Sequence, residues 1–346
     1  MAFLRNTWYI AAWQDEIAAG ALFNRTILNE PILFYRKQDG MVAAIGDRCP
    51  HRFAPLHMGK LEGDCVQCPY HGLRFYSSGQ CAHNPHGDGT IPKAARVKAY
   101  PVAERHLAVW IWMGDPALAN PDLIPDYAFL AAAKPTARNT GYLHTKANYE
   151  LLCDNIMDLS HVDFLHPTTL GGGALSSTRP QVSELGKKVR ILWEARNAIA
   201  PPGFAVHLPD PQAPADVWTD VIWSAPALMH LSTGVTPAGK SFDEGVSTSN
   251  LHMMTPETDT TTHYFYANTR SFVQDDAEFN NMVDRMLIGV FAGEDKPMVE
   301  GQQQMMGTAD LWSLKPILLQ VDAGAVRVRR TLERLIKEES EHTFTG

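Results

Sequence analysis

The sequence predicts an α+β chain in two parts: an all-β N-terminal domain, residues 1–120, and a C-terminal domain, residues 121–346, in which helices cover an antiparallel sheet. Three observations predict this. Between residues 25 and 115 the chain is a series of short apolar or alternating runs separated by Gly, Pro and Asp, the pattern of small strands joined by tight loops. A proline-rich stretch, 115–126, interrupts it with Asp115-Pro116, Asn120-Pro121 and Ile124-Pro125, as a crossover linker would. Beyond the linker, strand-like and helix-like periods occur together, which requires a sheet with helices packed on it.

Taken in order, Ile32-Leu33-Phe34-Tyr35, Met41-Val42-Ala43-Ala44-Ile45 and Val109-Trp110-Ile111-Trp112-Met113 read as strands of the first domain. Residues 148–166 read as a helix, and 182–270 as strands with long loops, among them 189–193 and 261–265. A long helix is expected over 276–306, where Phe279, Met282, Val283, Met286, Leu287, Val290 and Phe291 recur at i, i+3, i+4 and i+7 spacing. A last helix is expected over 322–339.

Composition narrows the function. Of 346 residues 45% are hydrophobic, ample for packed cores, and the net charge of −8 comes with no run of Lys or Arg. Neither a nucleic acid nor an anionic membrane surface is an expected partner. The N-terminus has no charged segment leading into an apolar one, and no stretch approaches eighteen apolar residues, so a cytoplasmic protein without a membrane span is expected. Five cysteines without a disulfide spacing fit a reducing compartment.

Chemistry enters with Cys49-Pro50-His51, answered after sixteen residues by Cys68-Pro69-Tyr70-His71. Two thiolates and two imidazoles in this order suit a [2Fe–2S] cluster in which two histidines replace two cysteines on one iron, a Rieske centre. Neutral imidazoles take negative charge off that iron and raise the potential to roughly −150 to +300 mV, against about −400 mV for a plant-type cluster. Such a group can pass electrons to an oxidising site. Pro50, Pro69 and Gly72 are turn formers that let one tight loop present each Cys with its His. Zinc is the alternative, because Cys65-x-x-Cys68 and Cys81 lie in the same stretch, although Cys-x-His matches no common zinc-ribbon spacing.

A second constellation stands in the helix expected at 148–166: Asp154-Asn155-Ile156-Met157-Asp158-Leu159-Ser160-His161-Val162-Asp163-Phe164-Leu165-His166. Asp158 and His161 share a helix face, whereas His166 is about 140° further round. Both imidazoles reach one metal only if the helix ends or bulges between them. Pro167 supplies a stop by disfavouring α geometry at His166. Two histidines and a carboxylate make the facial triad that leaves positions open for O2 on ferrous iron. The carboxylate is Asp158 or Asp295; the latter extends the Val283, Leu287, Phe291 row at i+4, with Pro297 expected to kink the helix just beyond it.

Together with these motifs, Asn6-Thr7-Trp8-Tyr9, Arg25-Thr26-Ile27-Leu28, Cys49-Pro50-His51-Arg52, the Cys68 to Gly72 run, Val109-Trp110-Ile111-Trp112, Thr255-Pro256-Glu257-Thr258 and Glu294-Asp295-Lys296 carry a resemblance. Over essentially its whole length the chain resembles the Rieske non-haem iron oxygenase α-subunits. It is most similar to the short group that includes vanillate O-demethylase, dicamba O-demethylase and toluenesulfonate methyl-monooxygenase. The resemblance implies a Rieske [2Fe–2S] cluster on Cys49, His51, Cys68 and His71, and mononuclear Fe(II) on His161, His166 and Asp295. It makes Asp158 a catalytic bridge that accepts hydrogen bonds from His161 and from His71 of the partner subunit, and it puts Asn155 close to the iron. A homotrimer is implied, with a separate NAD(P)H-dependent flavin/[2Fe–2S] reductase as electron donor. The implied reaction is a monooxygenation, with O2, of a small aromatic substrate: oxidative O-demethylation with release of formaldehyde. Methyl-group or ring hydroxylation, or electron transfer without catalytic iron, are the alternatives.

For the substrate, the resemblance points to His230 and His252 as a pair of polar groups, with Trp218, Met253, Leu287 and Phe291 as apolar walls. Vanillate and sulfonate members of the group carry Arg where His230 stands. An imidazole cannot grip such anions bidentately, so a phenol or a weaker anion is the expected substrate.

Overall fold

Strand-forming runs between residues 8 and 112 pair into three antiparallel sheets in the computed structural model, which describes residues 2–167, 169–170 and 178–343. The strands are β1 (Trp8–Trp13), β2 (Phe23–Ile27), β3 (Glu30–Arg36), β4 (Val42–Gly46), β5 (Lys60–Glu62), β6 (Cys65–Gln67), β7 (Arg74–Phe75), β8 (Cys81–His83), β9 (Ala99–Tyr100), β10 (Val102–Arg105) and β11 (Ala108–Trp112). Their orders are β1-β11-β10, β2-β3-β4-β9 and β5-β6-β7-β8. Leu33, Tyr35, Ile45, Val66 and Phe75 form one core, and Cys49 and Cys68 belong to it. The thiols are therefore inside, beneath loops whose tips face out. The proline-rich residues 115–126 form two 3-10 turns, Pro116–Leu118 and Pro121–Leu123, capped by Asp115 and Asn120. They pack on this first unit: the Trp8 indole donates to the Asn120 carbonyl at 2.8 Å, and Arg105 reaches Asp122.

Two compact units divide the chain, Phe3–Tyr127 and Ala128–Gly346. The second contains α1 (Ala128–Ala132), β12 (Arg138–Thr145), α2 (Tyr149–Met157), α3 (Val162–Leu165), β13 (Gln181–Leu185), β14 (Lys188–Ala198), α4 (Pro202–Ala205), β15 (Ala215–Ser224), β16 (Leu228–Pro237), β17 (Val246–Pro256), β18 (Thr262–Arg270), α5 (Ala277–Ile288), α6 (Lys296–Met306) and α7 (Ala323–Thr343). Its strands make one seven-stranded antiparallel sheet, β12-β18-β17-β16-β15-β14-β13. The pleat sorts side chains rung by rung. One rung joins Val189, Trp223, Met229, His252, Tyr266 and Gly141; the next joins Arg190, Ile222, His230, Leu251, Ala267 and Thr140 and points the opposite way. The first is the helix-covered face. There α7 starts so close to α2 that a Cβ on Gly324 would meet the Met157 carbonyl at 3.2 Å and the Ile191 Cδ1 at 2.9 Å.

Two expected helices are modified where the chemistry lies. The helix at 148–166 breaks at Asp158, whose φ and ψ are −127° and 89°; a 3-10 turn, Leu159–His161, restarts it and α3 follows. The Asp158 carboxylate caps the restart by accepting the Ser160 N–H at 3.0 Å. His166 then leaves the helix at φ −117°, ψ 41°, outside the α region that a following proline disfavours. The helix at 276–306 runs through, but Gly289–Asp295 is π-helical, and the Lys296 N–H donates to the Phe291 carbonyl, five residues back. The irregularity thus precedes Pro297 instead of following Asp295. Pro297 follows at the start of α6, where it has no N–H to bond back into the preceding turn, and the widened turn before it takes the place of the expected kink. Among the described residues no helix is long and apolar enough to cross a membrane.

Candidate metal centres

The two Cys/His loops are built alike. The Cys49 N–H donates to Ala54 O and the Phe53 N–H to Cys49 O, both at 2.9 Å; the Cys68 N–H donates to Leu73 O at 2.8 Å and the Gly72 N–H to Cys68 O at 3.1 Å. Each loop turns at the fourth residue after its cysteine through left-handed backbone, Phe53 at φ 59° and Gly72 at φ 73°. Glycine does this without strain, whereas a bulky residue does not. The Phe53 ring lies exposed beneath the Arg48 guanidinium, 5.4 Å from its centre.

These turns bring the His51 and His71 rings to 4.6 Å, edge to face, above the buried Cys49 and Cys68 thiols. Burial, reinforced by the Cys68 thiol, pushes Cys49 up to about 11 against a favourable backbone hydrogen bond, so a metal has to replace the proton for this sulfur to be a thiolate at neutral pH. The four ligands do not converge on one point. Among the described residues only a different group has all its ligand atoms within 4.8 Å of one another, so a single tetrahedral zinc lacks its site here. Cys81 offers no repair, since its Sγ is turned to the His83 carbonyl at 3.4 Å. A spread set of two thiols inside and two imidazoles outside fits a two-iron group.

The convergent group is His161, His166 and Asp295. The break at Asp158 and the stop at His166 turn the two imidazoles toward each other, with ring centres 5.3 Å apart at 72°. Asp295 enters from the π segment, its Oδ1 3.1 Å from His166 Nε2 and 3.6 Å from His161 Nε2. Both Nδ1 atoms point outward to acceptors: His161 Nδ1 donates to the Asp158 main-chain carbonyl at 2.6 Å, and His166 Nδ1 lies 2.5 Å from Glu294 Oε2. Protons on Nδ1 leave both Nε2 lone pairs facing inward, the arrangement of metal-ligating histidines. The Asn155 Nδ2 donates to Asp295 Oδ1 at 3.1 Å. Burial disfavours charge on His166, yet its bonds to Asp295 and Glu294 outweigh burial and raise its pKa above the ordinary imidazole value. The site attracts a cation. Thr145 adds a buried hydroxyl without a hydrogen-bond partner, lining a small cavity with Asn155, Asp295, Phe291 and Tyr264.

One expected contact is made differently. Asp158 holds His161 through its main chain, because the 3-10 turn folds the imidazole back onto that carbonyl and the carboxylate is engaged in capping Ser160. The carboxylate also lines a pocket of about 470 Å³ with Asp154, Asn155 and His161, edged by Met305 and Ile317, which are 82% and 89% exposed. Asp154 is not plain helix surface. Arg329 of α7 grips it, with Nε at 2.9 Å and Nη2 at 2.6 Å from Oδ2, and donates from Nη1 to Glu150 Oε2 at 2.8 Å. Arg329 is only 4% exposed, and burial raises Glu150 to about 7 despite this partner. The i, i+4 pair of acids is visible in the sequence, but nothing local names its cation.

His230 and His252 do not form a pair. His252 is opposite Met229 in register and His230 opposite Leu251, so adjacent rungs send them to opposite faces of the sheet. His252 is on the helix-covered face, its Nδ1 2.6 Å from the Tyr264 hydroxyl and its ring edge-on to Phe291 at 5.5 Å. Burial pushes it down to about 4 against the pull of the Asp295 charge. His230 stacks on Phe129 at 4.9 Å on the other face, the side that Trp218, packed on Phe242 at 4.8 Å, and Met253 share by alternation. Leu287 and Phe291 are buried on the helix side. The residues that complete this wall are Tyr264 and Tyr266, the latter 4.9 Å from Phe291. Gly141 makes room for it, since a Cβ there would stand 2.0 Å from Tyr266 Cζ.

Comparison with known proteins finds two family matches in the chain. Residues 7–101 match the Rieske [2Fe-2S] domain family, and residues 145–338 match the vanillate O-demethylase oxygenase C-terminal domain family. The chain is 40% identical to the oxygenase component of a chloroacetanilide N-alkylformylase from Rhizorhabdus wittichii, over 97% of each protein. It is 38% identical to the oxygenase component of dicamba O-demethylase from Stenotrophomonas maltophilia, over 98% of this chain and 100% of that one. The crystal structure of dicamba monooxygenase bound to 3,6-dichlorosalicylic acid superposes with a TM-score of 0.91 at 37% identity, covering 98% of this chain and 99% of the other.

Proposed function

Since the chain belongs to the Rieske non-haem iron oxygenases with a vanillate O-demethylase-type catalytic domain, we propose that it is the oxygenase component of a multi-component monooxygenase that removes the methyl group of a methoxylated aromatic compound as formaldehyde. The observation that carries this reading is the convergence of His161, His166 and Asp295 with both Nδ1 atoms tied outward. Two imidazoles and one carboxylate on one side of a centre leave the other side for O2 and substrate. His161, His166 and Asp295 would hold ferrous iron, and Cys49, His51, Cys68 and His71 the [2Fe–2S] cluster. When bound, these groups supply O2 activation and the relay of electrons to it. Overall, the methyl aryl ether, O2, two electrons and two protons give a phenol, formaldehyde and water. The electrons come from NAD(P)H through a separate flavin/[2Fe–2S] reductase.

The chain's own residues orient and shield. Asn155 fixes the Asp295 carboxylate through Oδ1, and Phe291, Leu287 and Tyr266 keep water from the methyl group. His252 and Tyr264 offer hydrogen bonds without charge, so a phenolic or uncharged aromatic fits this wall better than a carboxylate, whose desolvation would go uncompensated. Loss of an N-alkyl carbon, the chemistry named in the chloroacetanilide relative, is a second reading that the same neutral wall favours. On the open pocket, the Asp158 carboxylate is suited to accept His71 of the partner subunit. That route requires an assembled ring, a homotrimer.

The test is a screen of methoxylated and N-alkylated aromatics with a surrogate reductase, scoring formaldehyde against O2 uptake. Formaldehyde in step with O2 is the expected result for a methoxylated phenol. A hydroxylated ring without formaldehyde would replace this reading by ring hydroxylation. Iron analysis should give about three irons per chain, two in the cluster and one on the triad; two would leave an electron carrier.

A further inference from the structure

We infer that Glu294 is a positioning residue for the iron site: its carboxylate fixes His166 as the Nδ1–H tautomer and turns the Nε2 lone pair toward the metal. This rests on reading His161, His166 and Asp295 as that site. Consecutive residues of the π segment take opposite edges of one ring, Glu294 Oε2 at 2.5 Å from Nδ1 and Asp295 Oδ1 at 3.1 Å from Nε2. The His166 side chain is 1% exposed, so water does not compete for Nδ1, whereas the Glu294 side chain is 31% exposed and keeps its charge hydrated. Thr169 Oγ1 lies 3.3 Å from the same Oε2 and 3.5 Å from the His166 carbonyl, and its one proton can go to either.

The two histidines are oriented by acceptors of different kinds. His161 is held by a main-chain carbonyl, which no side-chain substitution removes; His166 is held by a side chain that can be removed. A carboxylate behind a ligating imidazole also increases the basicity of its other nitrogen, and loss of such a partner typically lowers metal affinity about 10- to 100-fold.

The experiment uses the full chain with its cluster intact and the mononuclear site emptied, titrated anaerobically with Fe(II), and with Co(II) as a spectroscopic probe. In Glu294→Ala we expect Fe(II) affinity to fall by about 10- to 100-fold and the Co(II) absorption bands to shift, with cluster absorbance at full strength. Glu294→Gln, whose amide oxygen still accepts the Nδ1 proton, should recover part of the affinity. A brace that only supports the fold would move the melting temperature and leave the bands of the loaded protein unchanged. Wild-type Fe(II) affinity and unshifted Co(II) bands in Glu294→Ala would overturn the inference. Independently of any variant, the Co(II) form of the wild-type protein should show a hyperfine-shifted proton from His166 Nδ1 that exchanges slowly with D2O, and its absence would overturn the inference equally. If the wild-type protein takes up no Fe(II) beyond its cluster, the iron-site reading itself fails.

Discussion

Replacing Arg329 with Met tests how α7 braces the helix that precedes His161 and His166. Arg329 is 4% exposed and donates to both Asp154 and Glu150. Its loss leaves two carboxylates in a buried setting without a cation, and removing one partner of a buried ion pair costs about 3–5 kcal/mol. At about 2–4 °C per kcal/mol for a domain of this size, the melting temperature should fall by about 6–20 °C. The penalty should also depend on pH. Burial holds Glu150 at about 7 in the folded protein, above its ordinary 4.5. A carboxyl whose folded pKa is raised contributes stability that is fully present below its unfolded pKa and is lost as pH rises through the folded value. Without Arg329, which opposes that rise, the folded pKa climbs further, so the variant should be closest to wild type near pH 5 and furthest from it near pH 8. Circular dichroism melts of the cluster-loaded protein across this range are the assay. A drop below about 2 °C at pH 8, less than about 1 kcal/mol, or a penalty constant with pH, would refute the reasoning.

Asp158→Asn should leave the fold almost unchanged, within about 0.5 kcal/mol, because an Asn oxygen caps the Ser160 N–H as well as Asp does. Both metals should be retained, but single-turnover oxidation of the cluster should slow; wild-type rates would remove the carboxylate from the electron route. Gly141→Ala places a methyl 2.0 Å from Tyr266 Cζ and should cost about 1–3 kcal/mol through overpacking. Because Tyr266 packs on Phe291, O2 uptake without product should increase, and unchanged melting and coupling would disprove the steric account. Gly72→Ala forces a side chain into left-handed backbone at φ 73°, at a cost of about 1–2 kcal/mol, so the cluster's visible absorbance should bleach faster in chelator than in the wild-type protein. An equal bleaching rate would mean that this turn does not govern cluster retention.

What the sequence disclosed of these sites follows the range of the forces involved. Cys49 with His51 and Cys68 with His71 are readable because each pair lies within one loop, where spacing alone determines what can meet; His161 with His166 needed in addition the stop that Pro167 imposes on the helix. Asp295 was reachable as an extension of an apolar row on its helix. Glu294 was not, because its partner His166 is distant in the chain and the two meet only after α3 and the π segment pack together. His230 and His252 show the other boundary. Alternation within each strand says which residues share a face, but the phase of β16 against β17 is fixed by pairing, and a shift of one residue reverses every assignment. Arg329 is of the same kind as Glu294, since two acids one turn apart can be seen but the cation from another helix cannot.

The π segment has a consequence for how the chain tolerates changes in length. A single π turn is an α-helix carrying one extra residue, so losing one position between Gly289 and Glu294 would let the helix wind regularly from α5 into α6. Because the widened turn takes up its extra residue locally, α5 and α6 would keep their mutual rotation and only the segment between them would rewind. Val299 and Gln303 of α6 would stay buried, while Glu294 and Asp295, carried on the rewound turn, would be drawn away from His166. Helix interiors are usually scanned by substitution, yet here a deletion that changes no remaining side chain would separate the acids from their imidazole.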